Sequence, residues 1–148
     1  MNKWDKRFLD LAALVASWSK DPSTQTGAVI VRPDKSVASV GFNGFPMTMP
    51  DHDTLYHNRE EKYSRIIHCE MNAALFSHDT SMKGYTLYTV PFMSCDRCFV
   101  HMVQLGIVRF VYPKATEEQL TRWGDAFDRV LDYADECDVE MVEVKYEK

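Results

Sequence analysis

Nowhere in these 148 residues does an apolar run approach the roughly 20 residues that a membrane-spanning helix needs. The opening residues, Met1-Asn2-Lys3-Trp4-Asp5, lack the apolar stretch of a secretion signal. Both absences point to a cytoplasmic compartment, where thiols stay reduced and paired cysteines bind metal more often than they form disulfides. Basic runs are missing too. The formal net charge is −5, and the stretch from Asp125 to Glu147 is acidic. Polynucleotide binders draw much of their affinity from neutralising phosphates, so this balance favours a small substrate over nucleic acid. There is no internal repeat, low-complexity tract or linker-like segment, and residues 1–148 are expected to form one domain. Cysteine is scarce, at four residues, yet a chain of this length buries about 70% of its unfolded surface and needs no disulfide staples.

What is present is concentrated in two short segments. His68-Cys69-Glu70 is followed, about 25 residues later, by Cys95-Asp96-Arg97-Cys98. One imidazole and two thiolates make three ligands for a zinc ion and leave the fourth tetrahedral position open to water, as a catalytic zinc requires. Glu70, two residues from the histidine, is placed to accept that water's proton. A lone C-x-x-C is weak evidence, because redox motifs and structural zinc sites share it. The combined H-x-E…C-x-x-C pattern is the signature of zinc-dependent nucleobase deaminases. Cys95 and Cys98, at i and i+3, share one face of a first helical turn, where free N–H groups favour thiolate. His68 and Glu70 lie about 200° apart on an ideal helix, so both reach one point only if the metal sits at the helix tip. Two helix starts aimed at one ion satisfy that condition.

The periodicities outline the fold. Trp4, Phe8, Leu11, Val15 and Trp18 recur at helical spacing, with Asn2 as cap, and predict a helix over residues 3–19. Two extended runs, 26–31 and 36–42, flank a turn at 32–35 and predict a hairpin. Residues 44–64, with Pro46, Pro50, Asp51 and Asp53, read as a loop. Helices are expected at 68–77 and 95–105, and strands at 85–90, 107–112 and 139–144. Thr116-Glu117-Glu118-Gln119 has capping-box spacing and opens a last helix whose face carries Leu120, Trp123, Phe127, Val130, Leu131 and Ala134. The resulting order, α-β-β-α-β-α-β-α-β, implies an α/β three-layer sandwich with helices on both faces of the sheet. The Trp4 and Trp123 stripes read as core or subunit contacts, and Cys137 as a small buried apolar group.

Taken together, several blocks resemble the deoxycytidylate (dCMP) deaminase family. They are the run from Asp21 to Val31, the loop Gly41-Phe42-Asn43-Gly44-Phe45-Pro46, the segment Asn58-Arg59-Glu60-Glu61-Lys62-Tyr63, and the two zinc-ligand segments. The resemblance spans about residues 8 to 112. It implies a five-stranded mixed sheet, one catalytic Zn2+ on His68, Cys95 and Cys98, and Glu70 as the catalytic proton carrier. The implied reaction is dCMP plus water to dUMP plus ammonia, which feeds thymidylate synthesis. It also implies that Asn43 binds sugar and base, and that Ser23, Thr24 and Arg59 or Lys62 contact the phosphate. Family members are commonly hexamers, activated by dCTP with Mg2+ and inhibited by dTTP, so a homo-oligomer with such effectors is expected.

The sequence departs from the family pattern at three places. Ser94 stands where proline usually precedes the first ligand cysteine, and is itself a good N-cap residue. Cys69 stands where alanine is usual, and a tyrosine that many relatives carry after the fourth strand is missing from Tyr112-Pro113-Lys114-Ala115-Thr116. These differences leave a 5-substituted dCMP open as substrate, alongside other cytosine compounds and a non-catalytic nucleotide-binding regulatory module. Plainer readings also stand beside the site assignments. Cys69 could complete a structural four-ligand zinc site, although neighbouring side chains on a helix point apart. Asn43 could be a left-handed turn residue, Arg59 and Lys62 a solvated helix face, and Ser23 and Thr24 a cap or turn.

Overall fold

The structure is a computed structural model describing residues 1–147. Helix α1 (Lys3–Ala16) starts at Asn2, whose Oδ1 accepts the backbone N–H of Asp5 at 2.8 Å. It ends three residues before the helix predicted to reach residue 19. Trp18 and Ser19 donate their amides to Val15 and Ala16, the tighter i→i+3 pattern of a closing turn. Ser19 then leaves the helix direction to donate its hydroxyl to the Asn43 carbonyl at 2.8 Å. That long-range bond is invisible to periodicity.

Strands β1 (Gly27–Val31) and β2 (Val37–Phe42) form the expected hairpin, with Lys35 at φ 76° in the turn between them. After it come two short helices, α2 (Asp53–His57) and α3 (Arg59–Arg65), where a loop was expected. Asn58 caps α3 by accepting from the amide of Glu61 at 3.2 Å, and Phe45 stacks on Tyr56 of α2 at 4.1 Å. Neither helix is long enough to carry an amphipathic stripe, and α3 buries no residue, so the prolines and aspartates dominated the sequence signal.

The remaining elements follow prediction closely: α4 (Cys69–Phe76), β3 (Thr86–Val90), α5 (Asp96–Leu105), β4 (Arg109–Pro113), α6 (Glu117–Cys137) and β5 (Glu140–Val144). The capping box at Thr116 and Gln119 is made in both directions, and α5 stops on Gly106 at φ 109°. Strand order is β2-β1-β3-β4-β5. The first two pairings are antiparallel and the last two parallel, so the sheet is mixed.

Alternation along β1 separates two cores. Ala28 and Ile30 face α4, α5 and α6, packing with Ala73, Phe99, Met102, Phe127 and Val130. Val29 and Val31 point the other way, onto Phe8, Leu9 and Ala12 of α1. On the α1 side, Arg109 and Tyr88 both bond the buried Asp5 carboxylate. Burial alone would raise its pKa, but the Arg109 and Tyr88 bonds outweigh burial and hold it below the usual range. Gly41 lets β2 pass directly under α4, because a Cβ there would collide with the Cys69 carbonyl and the Ala73 amide. The start of α4 is therefore pinned to the sheet. Cys137 is exposed at the end of α6, not buried as its apolar character suggested.

Candidate metal centre and active-site cavity

Two helix starts meet above the sheet. His68 is the N-cap position of α4 and Cys95 that of α5, with Cys98 in the first turn of α5. The Nδ1 of His68 lies 3.4 Å from Cys95 Sγ and 3.3 Å from Cys98 Sγ, and the three ligand atoms all fall within 4.8 Å of one another. With metal–sulfur distances of about 2.3 Å and metal–nitrogen distances of about 2.0 Å, a tetrahedral site has N···S edges of about 3.5 Å. The residues present fit a zinc ion without rearrangement. The backbone N–H of Cys98 also points at Cys95 Sγ, 3.5 Å away.

The charge state of the two sulfurs gives the same answer. A hydrogen bond from the Cys98 thiol, together with His68 and the Cys98 amide, pulls Cys95 down to about 4 against the cost of burial. The thiolate so formed, and burial, push Cys98 up. Two adjacent sulfurs cannot both ionise unaided, and a divalent cation between them is what would let them do so. The Cys95 contact also raises His68. Among the described residues no second group of three metal-capable side chains occurs, so neither His52 nor His57 belongs to such a cluster.

Glu70, in the first turn of α4, is buried and lines the same cavity as His68 and Cys95. Its Oε2 accepts the hydroxyl of Ser94 at 2.7 Å, and the Cys69 thiol lies 3.7 Å from Oε1. Ser94 is therefore not the helix cap its residue type suggested: Cys95 occupies the cap, and the serine hydroxyl goes to the carboxylate. Burial pushes the Cys69 thiol well up, and its sulfur does not belong to the group of converging ligands.

The other expected site residues divide. Asn43 borders the cavity, but its amide is committed to the 21–26 segment: Oδ1 accepts from the Thr26 amide at 2.9 Å, and Nδ2 donates to the Thr24 carbonyl at 2.9 Å and to Asp21 at 3.2 Å. It is not in left-handed geometry, so the turn reading fails. Ser23 and Thr24 line the cavity, their amides tied to Asp21 Oδ1. Lys62 also lines it, with its ammonium 2.8 Å from Asp21 Oδ1 and both side chains largely buried. Arg59 does not border this cavity. It lines an adjoining groove, with its guanidinium over Tyr63, 5.1 Å from the ring centre.

One wall was not anticipated. Trp123 and Phe127 of α6 border the cavity together with Phe92, which sits 4.7 Å from the Trp123 ring and 5.6 Å from Phe127. Arg122 lies over Trp123 at 4.3 Å and borders both the cavity and the groove. The 3.6-residue stripe that contains Trp123 and Phe127 was legible, but core-facing and cavity-facing rings have the same spacing.

Residues 2–114 match the family model described as the cytidine and deoxycytidylate deaminase zinc-binding region. The chain belongs to this family. It is 41% identical over 142 residues to an uncharacterized deaminase in the luxG 3′ region of Aliivibrio fischeri, covering 95% of this chain and 93% of that one. It is 31% identical over 115 residues to the deoxycytidylate deaminase of Homo sapiens, covering 74% of this chain and 64% of the human protein. The alignments thus take in about two thirds of the human enzyme's length. Among solved structures, the dCMP deaminase of cyanophage S-TIM5 in apo form superposes with a TM-score of 0.73 at 21% identity, covering 97% of this chain and all of that one. A mutant of NE0047 in complex with 8-azaguanine superposes with a TM-score of 0.60 at 14% identity, covering 94% of this chain and 75% of its own. These structures establish the shared fold. Since one of them holds a purine analogue, the fold alone does not choose the base.

Proposed function

We propose that this chain hydrolytically deaminates dCMP to dUMP, releasing ammonia and supplying the thymidylate precursor. The observation that carries the reading is the buried carboxylate of Glu70 in one cavity with His68 and Cys95, which converge with Cys98 on one point. Zinc held by those ligands would supply Lewis-acid activation of a water molecule. Glu70 takes a proton from that water as its oxygen adds to C4 of the cytosine ring, and delivers the proton to N3. The same carboxylate then carries the second water proton to the amino nitrogen, the C4–N bond breaks, and ammonia leaves with its electron pair. Phe92, Trp123 and Phe127 offer aromatic faces for the pyrimidine and keep bulk water out. Asn43, by holding residues 21–26 in place, shapes the side facing sugar and base.

The phosphate end rests on charge supply. Lys62 already neutralises Asp21. Arg59 and Arg122 are stacked on aromatic rings with no carboxylate partner among the described residues, and both line the groove that continues the cavity past Ser23 and Lys62. Two uncommitted guanidiniums and the Ser23 and Thr24 hydroxyls suit a nucleotide 5′-phosphate. The human relative's name supports the same substrate, as does the cyanophage structure described as containing dCMP and dUMP. The proposal extends to a cytoplasmic homo-oligomer, a hexamer, with dCTP–Mg2+ activation and dTTP inhibition. In keeping with the first of these, all four cysteines are free and no described helix is long and apolar enough to cross a membrane.

Ammonia release measured on dCMP, deoxycytidine, CMP and 5-methyl-dCMP tests the reading. A preference of at least tenfold for dCMP over deoxycytidine is expected, and equal rates on the two would overturn the phosphate assignment. Faster turnover of 5-methyl-dCMP would move the assignment to a modified nucleotide. Tight dCMP binding by the zinc-loaded protein with no ammonia released would favour a nucleotide sensor instead.

A further inference from the structure

Glu70 is held by a hydroxyl from the other metal-bearing segment. Ser94 immediately precedes Cys95 on the connection from β3 to α5, whereas Glu70 belongs to α4. Both residues are 4% exposed, and the 2.7 Å bond between them is within the range of charge-assisted O–H···O− bonds. Among the described residues it is the one short hydrogen bond on the Glu70 side chain. The thiol of Cys69, at 3.7 Å from the other oxygen, is a weak donor and sits next to Glu70 on the same helix.

A glutamate side chain has three rotatable bonds, and a proton carrier that must serve water, ring nitrogen and leaving group in turn loses rate with each rotamer that turns it away. Backbone geometry at the start of α4 places the Cα of Glu70 but does not select its rotamer. The Ser94 bond does so from outside the helix. It ties down Oε2 and leaves Oε1 with only the weak Cys69 thiol contact. Because Ser94 rides on the segment that delivers Cys95, it also links the position of the carboxylate to the position of the metal ligands.

We propose that Ser94 is the positioning residue for the Glu70 carboxylate, holding it in the one orientation that serves the reacting ring. The inference rests on the deaminase reading of the site. Its consequence is specific: the loss of Ser94 slows the chemical step and leaves substrate capture and metal loading alone.

The test uses zinc-loaded full-length protein and two readouts. In the first, Ser94→Ala is expected to lower kcat for dCMP by roughly tenfold, with KM within twofold and one zinc per chain by elemental analysis. Unchanged kcat overturns the proposal, and so does loss of zinc, which would make Ser94 a support for the metal loop instead. The second readout needs no turnover: calorimetric affinity for a 2-pyrimidinone deoxynucleotide 5′-monophosphate, whose ring takes up water at C4 and so mimics the addition step, compared with affinity for dUMP. Ser94→Ala is expected to weaken the analogue by roughly tenfold and dUMP by less than twofold. In a Glu70→Gln background the same substitution is expected to weaken the analogue by less than twofold, since the residue acts through that carboxylate. A tenfold loss persisting in that background overturns the proposal. If Glu70→Gln itself retains turnover, the reading of the site fails and this inference goes with it; if Glu70→Gln is inactive while Ser94→Ala is normal, only the inference fails.

Discussion

The two ends of the cavity are built in opposite ways. At the metal end, His68, Glu70, Cys95, Cys98 and Ser94 all lie within two residues of the first turns of α4 and α5, and α4 is pressed onto the sheet at Gly41. Their Cα positions follow from backbone already locked by helix geometry, and the longest of the side chains, Glu70, is tied in turn by the Ser94 hydroxyl. At the outer end, Arg59, Lys62, Arg122 and Trp123 reach in from α3 and α6 on long or bulky side chains, and both arginines are exposed. A short chain on a pinned helix start can hold bond-length tolerances. A long exposed chain supplies charge and contact area but little geometric precision. The metal end is therefore suited to chemistry and the outer end to selection.

Substitutions can break that division. Cys98→Ala has the largest expected effect: bound zinc falls towards zero by elemental analysis, and turnover is lost on every substrate, as after prolonged treatment of the wild type with a chelator. Glu70→Gln comes next, with a loss in kcat of about 10²–10⁴-fold while zinc remains at one per chain. The outer end should behave differently. Arg122→Ala is expected to raise KM for dCMP by roughly tenfold with kcat little changed, and to leave deoxycytidine kinetics alone, because what it removes besides its stacking on Trp123 is a charge-assisted contact to phosphate. A fall in kcat on both substrates would mean that Arg122 belongs with the chemistry and that the two ends are not separate. Arg59→Ala, which lines the groove but not the cavity, should raise KM for dCMP only about threefold.

The contrast between the two ends also sorts what was legible before the structure. Helix starts are local events: a cap, a first turn and a ligand spacing of i, i+3 occupy a handful of consecutive residues, so His68, Glu70, Cys95 and Cys98 could be singled out as one constellation. The order of elements was legible for the same reason, since Trp4 to Trp18, the Thr116 capping box and the Gly106 stop each carry their own periodicity or cap. Helices α2 and α3 were not, because five residues with one buried ring and seven with none leave no stripe to count. Trp123 and Phe127 were read as an apolar face for core or subunit contacts; both do pack with the core, and what the spacing did not reveal is that they also border the cavity. Cys137 was given a buried place that the end of α6 does not provide. The hydroxyl of Ser94 was assigned to a cap one residue away from where the cap forms.

By itself, then, the sequence singled out His68, Cys95 and Cys98 as a candidate donor set, Glu70 as the candidate proton carrier, and every element except α2 and α3, because each is written in neighbouring residues whose mutual geometry the helix or strand imposes. Only the tertiary structure decided which ring lines the cavity, which cation is already spent on Asp21 and which remains free, and that the hydroxyl ahead of Cys95 lands on the carboxylate of a different helix. Those are contacts between elements, set by the order β2-β1-β3-β4-β5 and by how closely each helix approaches the sheet, and no local spacing encodes them.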